Sequence, residues 1–218
     1  KKEKFKKAHF INSFSAIRNT FRSVSKYKVI SHFLFARLFF NDGLITIFAL
    51  GGVYAVSTLN FSFNEVMQLG IALNIAAGLG SFLFGYIEDM IGVVKVINIT
   101  LLVLIIATLI AIYAPETNYS KQLFWFAGIL IGLMVGPNQS CSRSLMAQLT
   151  PKEKLNEFFG FFALTGKATS FIGPLFFGIV TSIYNQQMAL WVVIILFVIG
   201  LLLFNQIQFN LLNSQDEI

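Results

Sequence analysis

The chain has 218 residues, 56% of them hydrophobic and 12% charged, with a mean hydropathy of +0.74 and a net charge of +6. A soluble domain carries about twice that charged fraction, so the composition points to an integral membrane protein and excludes a soluble enzyme or nucleic-acid-binding domain. The single cysteine, Cys141, excludes an intrachain disulfide.

Most of the positive charge sits in the first 28 positions. Such a cluster suits a cytoplasmic flank on an anionic membrane surface, and no nucleic-acid partner is expected. The chain starts at Lys1 and shows no cleavable leader; it reads as the C-terminal piece of something longer. Residues 1–29 form a basic cytoplasmic linker. Within it Phe10, Phe14, Ile17, Phe21 and Val24 recur at intervals of three and four, with Arg18, Arg22 and Lys26 on another stripe. This predicts an amphipathic helix that lies in the bilayer interface or on the protein's own cytoplasmic surface.

The first span is expected at about 30–56, and it carries Arg37, Asn41 and Asp42 inside an apolar run. An ionisable group near mid-bilayer costs at least roughly 2.5–3.5 kcal/mol on insertion scales and by default marks function. Arg37 and Asn41 share a face at i, i+4. The second span, about 66–87, holds Gly70, Gly78, Gly80 and Gly85, spaced for tight helix packing, and Asn74, which is either interhelical glue or a pathway residue. A tight polar turn with Gly85, Asp89, Gly92 and Lys95 leads to a plain third span, about 96–113. Pro115 then stops the helix.

The fourth span, about 123–146, contains Gly136 and Pro137, which should kink it, and the polar residues Asn138, Gln139, Ser142 and Arg143. Thr150, Pro151 and Glu153 spell a capping box that should open the next helix. The fifth span, about 157–184, has Lys167 near its middle and a second break at Gly173 and Pro174. Asp42 and Lys167 are opposite charges on separate spans, and pairing would lower the cost of both. The sixth span, about 188–203, is plain; the membrane domain ends near 208 and a cytoplasmic tail follows at 209–218.

Six spans with both termini cytoplasmic put Lys95, Arg143, Lys152 and Lys154 inside and only Lys121 outside. Spans one and two match four and five in polarity, and three matches six. The fold class is therefore all-α integral membrane, with six helices arranged as two inverted three-helix repeats. The expected pathway residues are Arg37, Asn41, Asp42, Asn138, Gln139, Arg143 and Lys167. The spans hold no paired-carboxylate or His/Cys cluster, and His9 and His32 lie at the flank. No enzyme activity, metal or cofactor is expected.

The loop pattern Gly85, Asp89, Gly92, Lys95 resembles the cytoplasmic signature of the major facilitator superfamily, with Met90 and Val94 where that pattern has basic residues. The stretches 37–43, 136–143 and 158–167 are similar to the autophagy-related vacuolar effluxer family and its bacterial relatives. The resemblance implies a C-terminal six-helix half of a twelve-helix transporter, with an N-terminal half as its missing partner, in a bacterial inner membrane. It implies a secondary transporter of small solutes, with amino-acid efflux from the vacuole suggested for the fungal members. It also implies that Asp89 gates by facing the N-terminus of the fifth span. A buried Asp suits a coupled proton and equally a structural ion pair. The alternative is a six-span membrane interaction protein or an oligomeric channel subunit.

Overall fold

The computed structural model describes residues 27–213. The amphipathic helix expected at 10–24 and the end of the tail lie outside them. Every regular element among the described residues is helical. They are α1 (Lys28–Leu59), α2 (Phe63–Ile91), α3 (Val93–Tyr113), α4 (Ser120–Leu149), α5 (Leu155–Ala168), α6 (Ile172–Ile183) and α7 (Gln186–Asn213), with short 3-10 turns at Ala114–Glu116 and Lys152–Lys154. α5 and α6 together make one span, so six spans are long and apolar enough to cross a bilayer. α7 runs nearly three turns past the expected end of the sixth span, because nothing from Asn205 to Asn213 stops a helix.

The connections follow from their residues. α1 ends at Asn60, which takes the left-handed conformation that Asn tolerates (φ 54°). Ser62 and Glu65 then form a reciprocal capping box that starts α2. The box expected at Thr150 does not form; its hydroxyl donates back to the Met146 carbonyl at 2.7 Å, and a 3-10 turn precedes α5. The polar turn expected between spans two and three is also shorter than its composition suggests. α2 continues through Gly85 and Asp89 to Ile91, and Lys95 already lies in α3. Gly92 alone makes the turn, at φ 87° and ψ 151°, a conformation open to glycine and few other residues.

The packing is two-fold in pattern. α1 lies along α7, and α4 lies along α3; α2 docks on α4, and α5–α6 dock on α1; α3 and α7 meet at the centre. Exchanging the triplets α1–α3 and α4–α7 maps each contact onto another, as an inverted repeat requires. The plain helices α3 and α7 pack on each other and on α4 and α1, while α2 and α5–α6 are the least covered spans.

Lipid gives helices no hydrophobic reason to associate, so close packing and polar contacts must do it. The α2–α4 seam shows how. Gly128, Gly132 and Gly136 recur at four-residue spacing on α4. A Cβ on Gly132 would stand 2.7 Å from the Leu73 carbonyl, and one on Gly136 would stand 2.1 Å from that of Ala77. Of the α2 glycines expected to pack tightly only Gly80 does so; Gly70, Gly78 and Gly85 face open space. Pro137 does not interrupt α4. It leaves the Leu133 carbonyl without its intrahelical donor, and that carbonyl fills the space where a Gly80 side chain would be.

Candidate functional site

The fifth span is broken. α5 stops at Ala168, residues Thr169, Ser170 and Phe171 turn, and α6 restarts at Ile172. The break lies ahead of Gly173 and Pro174, where the sequence had placed it. Proline tolerates the first turn of a helix but not its interior, so the helix restarts with Pro174 inside its first turn. The free amides of a new helix N-terminus and the free carbonyls of an old C-terminus are thereby left inside the bundle.

The polar side chains of α1 meet those groups. The Asp42 carboxylate, 1% exposed, accepts from the Gly173 N–H at 2.7 Å. An anion at a helix N-terminus is favourable. One turn before the break, Asn41 donates to the Gly166 carbonyl at 3.0 Å. Arg37 lies over the Phe162 ring at 3.6 Å and donates to the Phe162 carbonyl at 3.1 Å. So α1 sets donors and a cation against the last turns of α5, and an acceptor against the first turn of α6. Thr46 donates to the Asp42 carbonyl at 2.7 Å and touches α6 where a Gly173 side chain would otherwise sit. The second Asp42 oxygen is buried without a partner among the described residues.

The expected pathway residues divide into two groups. Asn41, Asp42 and Asn138 are buried in helix contacts. Asn138 does not join Asp42; it donates to Thr100 on α3 at 2.9 Å. Gln139, Arg143 and Lys167 are exposed, and Arg37 is half-buried. The Asp42–Lys167 pair is not formed. The one ion pair among the described residues joins Lys121 and Glu65 at 2.9 Å, at the far end of the bundle. The α6 amide that already serves Asp42 explains why no lysine is needed. Lys167→Met should accordingly change stability by less than about 0.5 kcal/mol, as surface changes usually do. Thermal unfolding in detergent checks this, and a clear loss would reinstate the pair.

At the near end of the bundle two adjacent acids, Glu88 and Asp89, are differently placed. Asp89 is exposed, with no hydrogen bond or ion pair to the first turn of α5 among the described residues. Glu88, which the sequence reading passed over, ties α2 to α4 by accepting from the Cys141 thiol at 3.2 Å and from the Ser144 hydroxyl. The first turn of α5 instead meets α1, where Phe158 packs edge-on to Tyr27. The signal for Glu88 was its place one turn before Gly92, facing small polar residues of α4.

A cavity of about 290 Å³ opens between α1 and α2, nearer the far end, with Ile47, Gly51, Gly52, Val66, Gly70 and Asn74 in its wall. It is mostly apolar, and of the polar residues singled out in the spans only Asn74 lines it. Asn74 bonds to the Gly70 carbonyl of its own helix and to no neighbouring helix among the described residues.

A six-span bundle of inverted triplets, one span of it broken, defines a multi-pass integral membrane protein. The vacuole effluxer Atg22-like family model matches residues 1–212. The chain belongs to that family. It is 30% identical over 194 residues to an uncharacterized MFS-type transporter, YxiO, of Bacillus subtilis, covering 88% of this chain and 44% of that protein. Autophagy-related protein 22 of Cryptococcus neoformans is 29% identical over 163 residues, covering 69% of this chain and 30% of its own length. That of Pichia angusta is 24% identical over 196 residues, covering 86% and 35%. The chain thus spans less than half the length of these relatives.

Proposed function

We propose that the chain is the C-terminal half of a secondary active transporter that moves small solutes, amino acids first among them, by alternating access. The observation that carries this reading is the broken fifth span, held on both sides of its break by Arg37, Asn41 and Asp42. Half-helices with free ends at membrane depth are the usual material of transporter sites. The two least covered spans, α2 and α5–α6, would face the N-terminal half. The solute would pass between the halves as they rock, with a proton as the candidate coupling ion. The full-length protein in proteoliposomes, screened over amino acids with and without a proton gradient, tests this. Gradient-stimulated uptake is expected, and no movement of any of them would overturn the proposal.

The distribution of Lys and Arg supports a topology with both termini cytoplasmic, which we propose for a bacterial inner membrane. Asn118 and Asn156, both exposed, lie at opposite ends of the bundle. In a Cys141→Ser background, a cysteine at Asn118 should react with an impermeant maleimide on intact cells and one at Asn156 should not. The reverse pattern would invert the topology.

A further inference from the structure

The cavity between α1 and α2 lies apart from the broken span, and its wall is well defined. Glycines make its room. A Cβ on Gly51 or Gly70 would meet nothing within 4 Å, and one on Gly52 would meet only Val66, at 3.3 Å. On the α4 side the seam is closed, because a Cβ on Gly128 would stand 3.0 Å from the Leu69 side chain. Another part of the wall is fixed by Tyr54, which is fully buried, donates to the Ala111 carbonyl at 3.0 Å and packs its ring on Phe124. Its proton is therefore spent. No charged residue lines the cavity. The closest charges along the chain, Glu65 beside Val66 and Lys121 one turn before Phe124, neutralise each other at 2.9 Å. The polar group left over is Asn74. A side-chain amide has two N–H donors and an acceptor oxygen. One N–H goes to the Gly70 carbonyl at 2.8 Å, and the rest of the amide has no partner among the described residues.

These features define a ligand. A volume of about 290 Å³ is nearly twice that of an apolar cavity that takes benzene, about 150 Å³. It stands just below the range of drug-sized pockets, about 300–1,000 Å³. The wall offers no counter-ion, so a charged molecule would lose its hydration without compensation. Asn74 lies about 12 Å along α2 from Val66, at the end of the cavity nearer mid-bilayer. An acyl chain reaching in from the outer edge would set methylenes against that amide. A compact molecule with its polar group at the inner end would satisfy it. We propose that the cavity binds a small neutral molecule of the bulk of about two fused rings, carrying one hydroxyl or amide group. The apolar body lies against Ile47, Leu69 and Phe124, and the polar group meets Asn74. The site is separate from the groups that hold the broken span, and it does not depend on the transporter reading.

The test uses the full-length protein in phosphatidylcholine nanodiscs, with empty discs subtracted to remove partition into lipid. The probe is radiolabelled 1-naphthalenemethanol, read by equilibrium dialysis, and saturable binding of one molecule per protein is expected. 1-Methylnaphthalene keeps the ring system and lacks the hydroxyl. It should bind about three- to tenfold more weakly, the loss of one neutral hydrogen bond, and the anion 1-naphthoate should not bind measurably. Asn74→Leu should bring the alcohol down to the affinity of the hydrocarbon and leave that of the hydrocarbon within about twofold. Gly51→Leu and Gly70→Leu fill the cavity and should each weaken the alcohol at least about tenfold. Gly178→Leu, whose Cβ also meets nothing within 4 Å but which lies outside the cavity, should change nothing. Binding that does not saturate above the empty discs would overturn the site, and would mean that side chains of the N-terminal half fill it. Equal binding of the alcohol, the hydrocarbon and the anion would overturn it too, as would an equal loss in Gly178→Leu. Should a leucine variant fail to fold, the three probes on the wild-type protein decide alone.

Discussion

Gly136→Ala should destabilise the full-length protein by about 1–3 kcal/mol, the usual cost of forcing extra atoms into a closed contact. Its new Cβ would stand 2.1 Å from the Ala77 carbonyl and 2.3 Å from the Ser81 hydroxyl. The hydroxyl can rotate away, but the carbonyl belongs to the α2 backbone and can move only with its helix. Alanine is the better helix former by about 0.8–1.0 kcal/mol, and the clash outweighs that gain. Gly80→Ala should behave alike, because its Cβ would stand 2.1 Å from the Leu133 carbonyl. Gly51→Ala, with nothing within 4 Å, is the control, and should be neutral or slightly stabilising. Thermal unfolding in detergent reads all three. A Gly136→Ala protein that melts with the Gly51→Ala control would show that α2 and α4 are not in backbone contact.

The sequence made the spans legible because a run of about 20 apolar residues has one stable use. The inverted triplets were legible from polarity alone, and the exchange of α1–α7 for α4–α3 contacts bears the pattern out. Arg37, Asn41 and Asp42 announced a site by their cost. Their partners were not legible, because Asp42 satisfies itself on a backbone amide and Arg37 on a carbonyl and a ring face. Neither partner leaves a mark in side-chain charge, so opposite charges invited a pairing with Lys167 that does not exist. The two prolines show the same limit. Both follow glycine, yet Pro137 sits in a continuous helix and Pro174 just after a break. What separates them is the neighbour that receives the freed carbonyl, which is Gly80 for Pro137. The four-residue spacing of Gly128, Gly132 and Gly136 was present to be read. It carries more of the α2–α4 packing than the glycines of α2, three of which face open space.

Asp42→Ala should loosen the break in the fifth span, and Asp42→Asn should largely preserve it. The carboxylate performs two tasks with different energies. As an acceptor it satisfies the Gly173 N–H, and an orphaned buried donor costs about 1–3 kcal/mol. As an anion it gains up to about 2 kcal/mol from the α6 dipole, against an effective desolvation penalty of several kcal/mol per buried ion. The charge is therefore at best neutral for stability, and the acceptor is what holds α6. Asparagine keeps an acceptor oxygen and sheds the desolvation cost; alanine keeps neither. Amide exchange read by mass spectrometry over residues 169–175 should quicken by about 10- to 100-fold in Asp42→Ala, the equivalent of that lost bond. It should stay within a few-fold of wild type in Asp42→Asn. Equal acceleration in both variants would mean that the negative charge itself holds the half-helix. No acceleration in either would mean that Thr46 and the packing around Gly173 hold α6 without the carboxylate.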